Sequence, residues 1–271
     1  MYFITISAMI GTNGEKIARQ VGATLGYPFY GEEELLKSAE EMGFLAEVQK
    51  MDEKGPPLLA RLFSEKPKIY LDRLQSVIYE LAKKDNAVFF GRGSQLLLKS
   101  FGCALHVLVI GGLEKRIERV TAEINGPREL AESIIHRSDR EKGDFLRFAF
   151  EEDWLDPKLY DVILNTDKLN IESAVKNVVE AAKSEEIRTC GLDSVELLGK
   201  LSLSRKVEAR LMEAGVMSAA LFLVAEKTDS IRLYGIVGSL EEKAQIERIV
   251  KGIREVKNIQ NDLRVFQGTA T

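Results

Sequence analysis

The chain has 271 residues, of which 45% are hydrophobic and 30% charged, and its formal net charge is −4. Such a composition is globular and long enough for two domains, and it excludes a disordered chain and a polybasic binder of nucleic-acid polymers. Cys103 and Cys190 match no metal or redox spacing and read as buried or incidental thiols, and two histidines give no histidine-based metal site. No apolar run reaches membrane-spanning length and the first strand starts at once, so the expectation is a soluble, reduced, cytoplasmic protein with no membrane insertion.

Tyr2 to Ile6 is a short β-prone run. Ser7 to Gly14 is a turn punctuated by Gly11 and Gly14. Ile17, Val21 and Leu25 then recur at helical spacing, with Gly26 in the place that ends a helix. Strand, glycine loop and helix together build a phosphate site, because loop N–H groups and the positive end of the helix dipole converge. The loop departs from the G-x-x-x-x-G-K-[ST] pattern, since Met9, Glu15 and Lys16 stand where glycine, lysine and a hydroxyl belong. An ordinary βα turn fits these residues equally well.

Tyr27 to Tyr30 is a short strand, and residues 32–85 read as helices broken near Gly43 and at Lys54 to Pro57. Ala87 to Phe90 is a buried strand running into Gly91-Arg92-Gly93, and residues 104–110 form another. Continuous apolar strands of this kind suit a parallel sheet covered on both faces. His106, inside one of them, reads as a satisfied sheet residue. Leu113 to Ile124 is helical, Asn125-Gly126-Pro127 stops it, and a charged helix follows over about 128–150. Tyr160 to Asn165 is the last strand and Ile171 to Ala182 the closing helix, which gives an α/β domain. Residues 183–193 read as a polar linker. Beyond it, Ser204 can cap a helix, residues 222–227 and 231–238 form a hairpin across Thr228 to Ser230, and Ser239 to Glu242 is a capping box. A last strand carries Ile259, Leu263 and Val265, so this part is α-β-β-α-β.

Four stretches resemble the cytidylate kinase-like family of nucleoside-monophosphate kinases. They are Ile4 to Ala18 around Gly11-Thr12-Asn13-Gly14, Leu25 to Tyr30, Phe89 to Gly93, and Asp153 to Thr166. The resemblance implies a parallel-sheet P-loop kinase fold with a helical lid, and phosphoryl transfer from ATP, with Mg²⁺, to a nucleoside monophosphate of the CMP or dCMP type. It sets domains at 1–185 and, after a linker over 186–194, at 195–268. The second resembles a BON domain through Leu233 to Gly238 and Val256 to Val265, which implies a binding module without chemistry of its own; docking on the first domain, a homodimer or protein partner, and a small molecule are the expected alternatives.

Within that resemblance, residues Gly11, Thr12, Asn13, Gly14, Glu15, Lys16 and Ile17 are the candidate cradle for the donor phosphates, with Arg116 and Arg119 beside it. Arg92, between two glycines at a strand's C-terminal end, is placed to grip the acceptor's phosphate; pairing with a helix carboxylate is the competing reading. Arg137, Arg140 and Lys142 are the lid cations, although Arg137 can pair with Glu141 and Arg140 with Asp144 at i, i+4. Asp139 matches a family aspartate, and Lys142 replaces the family's arginine. Ala8 replaces another arginine, Glu15 a basic residue and Gly31 an aspartate. No metal ligand is assigned. Two readings follow: a working kinase, or a weak or inactive kinase fold that senses nucleotide and acts through the BON-like part.

Overall fold

The computed structural model describes residues 3–42, 67–84, 86–188 and 193–266. The expected helix breaks near Gly43 and at Lys54 to Pro57 lie outside them. The chain divides into two compact units, one formed by Met1–Lys37 with Lys84–Gly191, the other by Ser38–Lys83 with Leu192–Thr271.

In the first unit, β1 (Phe3–Ala8), β2 (Phe29–Tyr30), β3 (Ala87–Phe90), β4 (Ala104–Ile110) and β5 (Val162–Asn165) form one sheet in the order β2-β3-β1-β4-β5, with every pairing parallel. β1 lies at the centre, with Thr5 opposite both Phe89 and His106. All six of its residues are buried, as the unbroken apolar run requires of a strand covered on both faces. Ile4 and Ile6 pack with Ile17, Val21, Val107, Val109 and Val178. Those last residues come from the sheet and from α1 (Gly14–Leu25) and α7 (Ile171–Ala182). Gly26 ends α1 at φ 70°, a left-handed position that glycine takes without steric cost.

Between β2 and β3 the described chain holds α2 (Glu32–Glu41) and α3 (Pro67–Lys84). After β3 come the one-turn α4 (Ser94–Leu97), then β4, α5 (Leu113–Ile124) and α6 (Arg128–Phe150). α5 and α6 pack through Ile117, Val120, Ala131 and Ile135. The strand expected from Tyr160 begins at Val162, because Asp156 caps a 3-10 turn over Pro157–Leu159 that occupies the approach. Cys103 is fully buried and disulfide-bonded, which corrects the reading of it as a thiol; Cys190 lies outside the described residues.

In the second unit, α8 (Asp193–Glu213) begins eleven residues before Ser204. Ser204 therefore caps nothing: it sits inside the helix, and its Oγ accepts the Ala225 N–H at 3.2 Å. The linker read over 183–193 contains a short 3-10 turn, Glu185–Arg188, and gives way to α8 at Asp193. β6 (Leu221–Lys227) and β7 (Ser230–Val237) form the antiparallel hairpin, α9 (Leu240–Lys251) follows, and β8 (Asn258–Val265) pairs parallel to β7. The capping box forms with a shift of one residue: Ser239 Oγ accepts from Glu242 N–H, and the Glu242 carboxylate accepts from Gly238 N–H at 2.7 Å. Gly235 has φ 124°, and a Cβ there would lie 2.0 Å from the Ala220 carbonyl oxygen. The backbone that needs this glycine is the lead into β6. α3 belongs to this unit, where Lys206 of α8 pairs with Glu80 at 3.3 Å and with Glu255 at 2.9 Å, and Arg73 pairs with Glu213. Among the described residues, no helix is long and apolar enough to cross a membrane.

Candidate functional site

The loop from Met9 to Asn13 leaves the C-terminal end of β1 and turns into α1. Its shape comes from two left-handed residues, Gly11 at φ 80° and Asn13 at φ 59°. A Cβ on Gly11 would meet the Arg116 backbone of α5 at 2.8 Å, and one on Gly14 would meet Ala8 Cβ at 2.1 Å, so both positions need glycine for close approach. Thr12 is buried, and its hydroxyl donates to the Met9 carbonyl at 2.6 Å. Met9 N–H donates to Val109 and Ile17 N–H to Asn13, whereas the N–H groups of residues 10–16 make no backbone hydrogen bond among the described residues. Unpaired N–H groups at the start of a helix, with the positive end of its dipole, are what an anion site requires.

Beside the loop is a cavity of about 420 Å³. Thr12, Asn13 and Ile17 form one side, and Leu169, Asn170, Ile171 and Glu172, from the β5–α7 connection, form the other. Arg119 and Thr166 close it. The volume and the mixture of apolar walls with a few polar groups suit a small organic ligand. Arg119 is fixed by donating to the Gly11 carbonyl at 3.2 Å and to the Thr166 hydroxyl and carbonyl at 3.1 and 2.5 Å. Residues 169–172 were missed in the sequence. Their only signal there is that they follow the last strand of a parallel sheet, at the edge where such sheets hold ligands.

The remaining candidates separate into engaged and free cations. Arg116, 4% exposed, donates twice to Asp139 at 2.8 and 2.9 Å and once to the Ile10 carbonyl at 2.8 Å. Its guanidinium braces the loop against α6. Glu15 is held by Arg19 at 2.8 Å, and Arg19 also takes Glu34 at 2.9 Å and lies 4.1 Å over the Phe29 ring. The carboxylate that the sequence sets beside the phosphate cradle is thus neutralised along the α1 surface. Lys16 is exposed. Gly91, Arg92 and Gly93 are all left-handed, which turns the chain sharply out of β3. Arg92 pairs with Glu32, in the first turn of α2, at 2.5 Å, the helix-carboxylate pairing that competes with a ligand. Glu34 reaches back to the Gly31 N–H at 3.0 Å, so a side chain at position 31 would meet both Phe29 and this cap.

On α6, Arg137 and Arg140 are exposed. Neither forms the expected i, i+4 pair: Asp144 faces Arg147 instead, at 3.9 Å, and among the described residues no carboxylate reaches either arginine. Lys142 turns inward. Its ammonium donates to the Ala8 carbonyl at 2.5 Å and lies 5.6 Å over the Trp154 ring. Burial pushes its pKa down to about 8, with Asp139 opposing and Arg116 and Arg92 adding to the fall.

Under the loop runs a buried polar chain that sequence reading did not find. Ser7 donates to Gln95 at 3.2 Å, Gln95 donates to the Tyr160 oxygen at 3.3 Å, and Tyr160 donates to the Trp154 carbonyl at 2.6 Å. Burial raises the Tyr160 hydroxyl to about 12, so it stays a donor. His106, lowered by burial, sits 2.8 Å from Thr5 Oγ1, as a satisfied sheet residue would.

Residues 3–168 match the model of a family described as the cytidylate kinase-like family. The fold is similar to the crystal structure of an uncharacterized protein from Eubacterium ventriosum ATCC 27560, with 17% identity and a TM-score of 0.56 over 68% of this chain and 100% of that one. Weaker likeness extends to a shikimate kinase from Bacteroides thetaiotaomicron (14% identity, TM-score 0.43, 68% and 99% covered). It extends also to a gluconokinase from Sinorhizobium meliloti 1021 (15%, 0.39, 70% and 93%). No curated protein sequence matches the chain.

Proposed function

The chain belongs to the cytidylate kinase-like family, and on that premise we propose that it binds ATP and transfers the γ-phosphoryl group to a nucleoside monophosphate of the CMP or dCMP type. An oxygen of the acceptor's phosphate would bond to the γ-phosphorus as the β–γ bridge breaks, leaving ADP. The observation that carries this is the continuity of the open loop N–H groups with the cavity beside them: phosphates on Gly11 to Ile17, the base between Ile17 and Leu169–Ile171 under Arg119. Arg137 and Arg140, with no carboxylate on them among the described residues, are the cations that would close over the transferred group. Arg92 would exchange Glu32 for the acceptor's phosphate. ATP fits the groups present. Mg²⁺ is assigned to the phosphates it arrives with, because the loop's hydroxyl and Asp139 are already bonded, and Mg²⁺ commonly rests on substrate phosphates.

A second reading has its own support. Glu15 stands in the lysine position, and Arg92 is already neutralised. A weak or inactive kinase fold would then sense nucleotide and act through the C-terminal unit. That unit is read as BON-like from its helix-strand-strand-helix-strand order, and is assigned to a homodimer or protein partner in the cytoplasm. Thermal-shift titration with ATP, ADP, CMP, dCMP and AMP, each with and without Mg²⁺, separates the readings, since a ligand bound only by the folded state raises the melt. A shift with ATP and with one monophosphate, followed by turnover of that pair, is the expected result. A shift with one class alone favours the sensor, and no shift with any nucleotide removes both.

A further inference from the structure

Residues Ser38–Lys83, from the segment between β2 and β3, form one compact unit with Leu192–Thr271. The helix that joins them, α8, has two faces in use. Leu203, Val207 and Leu211, spaced four apart, pack with Leu221, Ile231 and Leu233 of the three-stranded sheet. Ser202, Arg205, Lys206 and Glu213 meet α3 instead. Ser202 Oγ lies 3.2 Å from Ser76 Oγ, Arg205 3.5 Å from Asp72 and Lys206 3.3 Å from Glu80, and Glu213 pairs with Arg73. Ser76 and Ser202 are fully buried, and Asp72 and Lys206 are nearly so. Two helices joined through buried polar groups keep one register, because a slip would leave each group without its partner. α3 is thus held by the C-terminal part of the chain.

Both ends of the β2–β3 segment lead to Arg92. α3 stops at Lys84, just before β3, and β3 runs into Gly91-Arg92-Gly93. At the other end, α2 carries Glu32, whose carboxylate holds Arg92 at 2.5 Å. α2 is a single helix, yet its last residues, from Ser38, cluster with α3 and α8. Along the helix Ser38 is about 9 Å from Glu32, so a shift at that end is carried to the carboxylate.

We propose that α8 is a positioning element for the acceptor: by fixing α3 it keeps α2 where Glu32 occupies Arg92, and so governs access of the acceptor's phosphate while leaving the donor's loop alone. Arg73, Ser202 and Lys206 act through Glu32 and touch no nucleotide. Whatever the C-terminal unit binds is then read out at Arg92. The proposal rests on the reading of Arg92 as the grip on the acceptor's phosphate, and the test separates the two.

The full chain is titrated calorimetrically with CMP and with ATP, as wild type, Glu32→Ala, Arg73→Glu, Arg73→Glu/Glu213→Arg and Glu32→Ala/Arg73→Glu. Glu32→Ala is expected to tighten CMP about threefold, the scale of releasing an ion pair whose carboxylate is half exposed. Arg73→Glu sets two carboxylates against each other between α3 and α8, and is expected to tighten CMP by a similar factor with ATP unchanged. The swapped pair returns CMP to its wild-type affinity, and Arg73→Glu adds nothing once Glu32 is gone. Unchanged CMP affinity in Glu32→Ala or in Arg73→Glu overturns the proposal. A parallel change for CMP and ATP, or an effect that persists without Glu32, overturns it too, because a merely structural arginine would do that. Hydrogen exchange tests the coupling with no nucleotide present. Arg73→Glu is expected to speed exchange over residues 32–41 and to leave residues 14–25 as in wild type; equal exchange over 32–41 overturns the proposal. If CMP binds neither wild type nor Glu32→Ala, the reading of Arg92 falls, and the exchange result alone decides whether α8 positions α2. Arg73→Gln replaces the glutamate variant if its melt shows a disturbed fold.

Discussion

Phe89 and Phe222 are both strand phenylalanines stacked on a tyrosine, Phe89 on Tyr30 at 5.5 Å and Phe222 on Tyr234 at 5.6 Å. Phe89 is 0% exposed and Phe222 51%. The difference comes from the sheets that hold them. The inner strands of the first unit's parallel sheet, β3, β1 and β4, are covered on both faces, so position along β3 hardly matters. The three-stranded sheet of the second unit buries Leu221, Ile231, Leu233 and Leu263 on one face, and leaves Phe222, Val224, Tyr234 and Ile236 half open on the other. The same residue type with the same aromatic partner is core in one unit and surface in the other. Strand pattern therefore says more about burial than hydrophobicity does.

The strongest test of that contrast is Phe89→Ala. Emptying a sealed site costs about 3–5 kcal/mol, which chemical denaturation would read as a large loss of midpoint in the first unit's transition. A loss under about 1 kcal/mol would mean that β3 is not sealed.

The next effect turns on polar groups. The first unit links Ser7, Gln95 and Tyr160 through bonded partners. In the second, Asp72 of α3 is buried, its Oδ2 has no hydrogen-bond partner among the described residues, and Arg205 stands 3.5 Å from its other oxygen. Burial, and then Glu208, raise Asp72 to about 7, with Arg205 and Lys68 opposing. A carboxyl whose folded pKa lies above its unfolded one stabilises most below about pH 4, and that contribution is lost as pH rises through about 7. The melting temperature of wild type should therefore fall between about pH 5 and pH 8 more steeply than that of Asp72→Asn. At about pH 8 the variant should be more stable by roughly 2 kcal/mol, after the cost of a buried amide. Parallel pH profiles would show that Asp72 does not carry the slope.

Phe222→Ala is the smallest of the three, at under about 1.5 kcal/mol, because an open cross-strand pair contributes little beyond its stacking. A loss matching that of Phe89→Ala would show that the outer face is covered in solution.

The strands of the first unit were legible because a continuous apolar run bounded by glycine fits a buried strand and little else, and β3, β4, α5 and α6 fall where the sequence sets them. The start of α8 was not. Its buried positions include Gly199, Ser202 and Lys206, residues that a search for an apolar stripe passes over. Lys206 is there because Glu80 and Glu255 meet it, and Ser202 because Ser76 lies 3.2 Å away. These partners are distant in sequence, and no local pattern announces them. The site divides the same way. The glycine loop was visible as a loop, because tight turns and close packing demand glycine. The claims on its cations were not: Glu32 on Arg92, Asp139 on Arg116 and the Ala8 carbonyl on Lys142 are each made by folding.

The central place of β1 has a consequence in time. Thr5 meets His106 across 101 residues of chain, and β3 is made only shortly before β4. At a synthesis rate of about 5–20 residues per second, β1 waits roughly 5–20 s for its partners, an apolar strand with two unsatisfied edges. The β6–β7 hairpin, joined by Thr228 and Asp229 alone, can close in about 1–10 μs. During translation, the strand at the centre of the candidate site thus stays an extended apolar segment until residues 104–110 have been made.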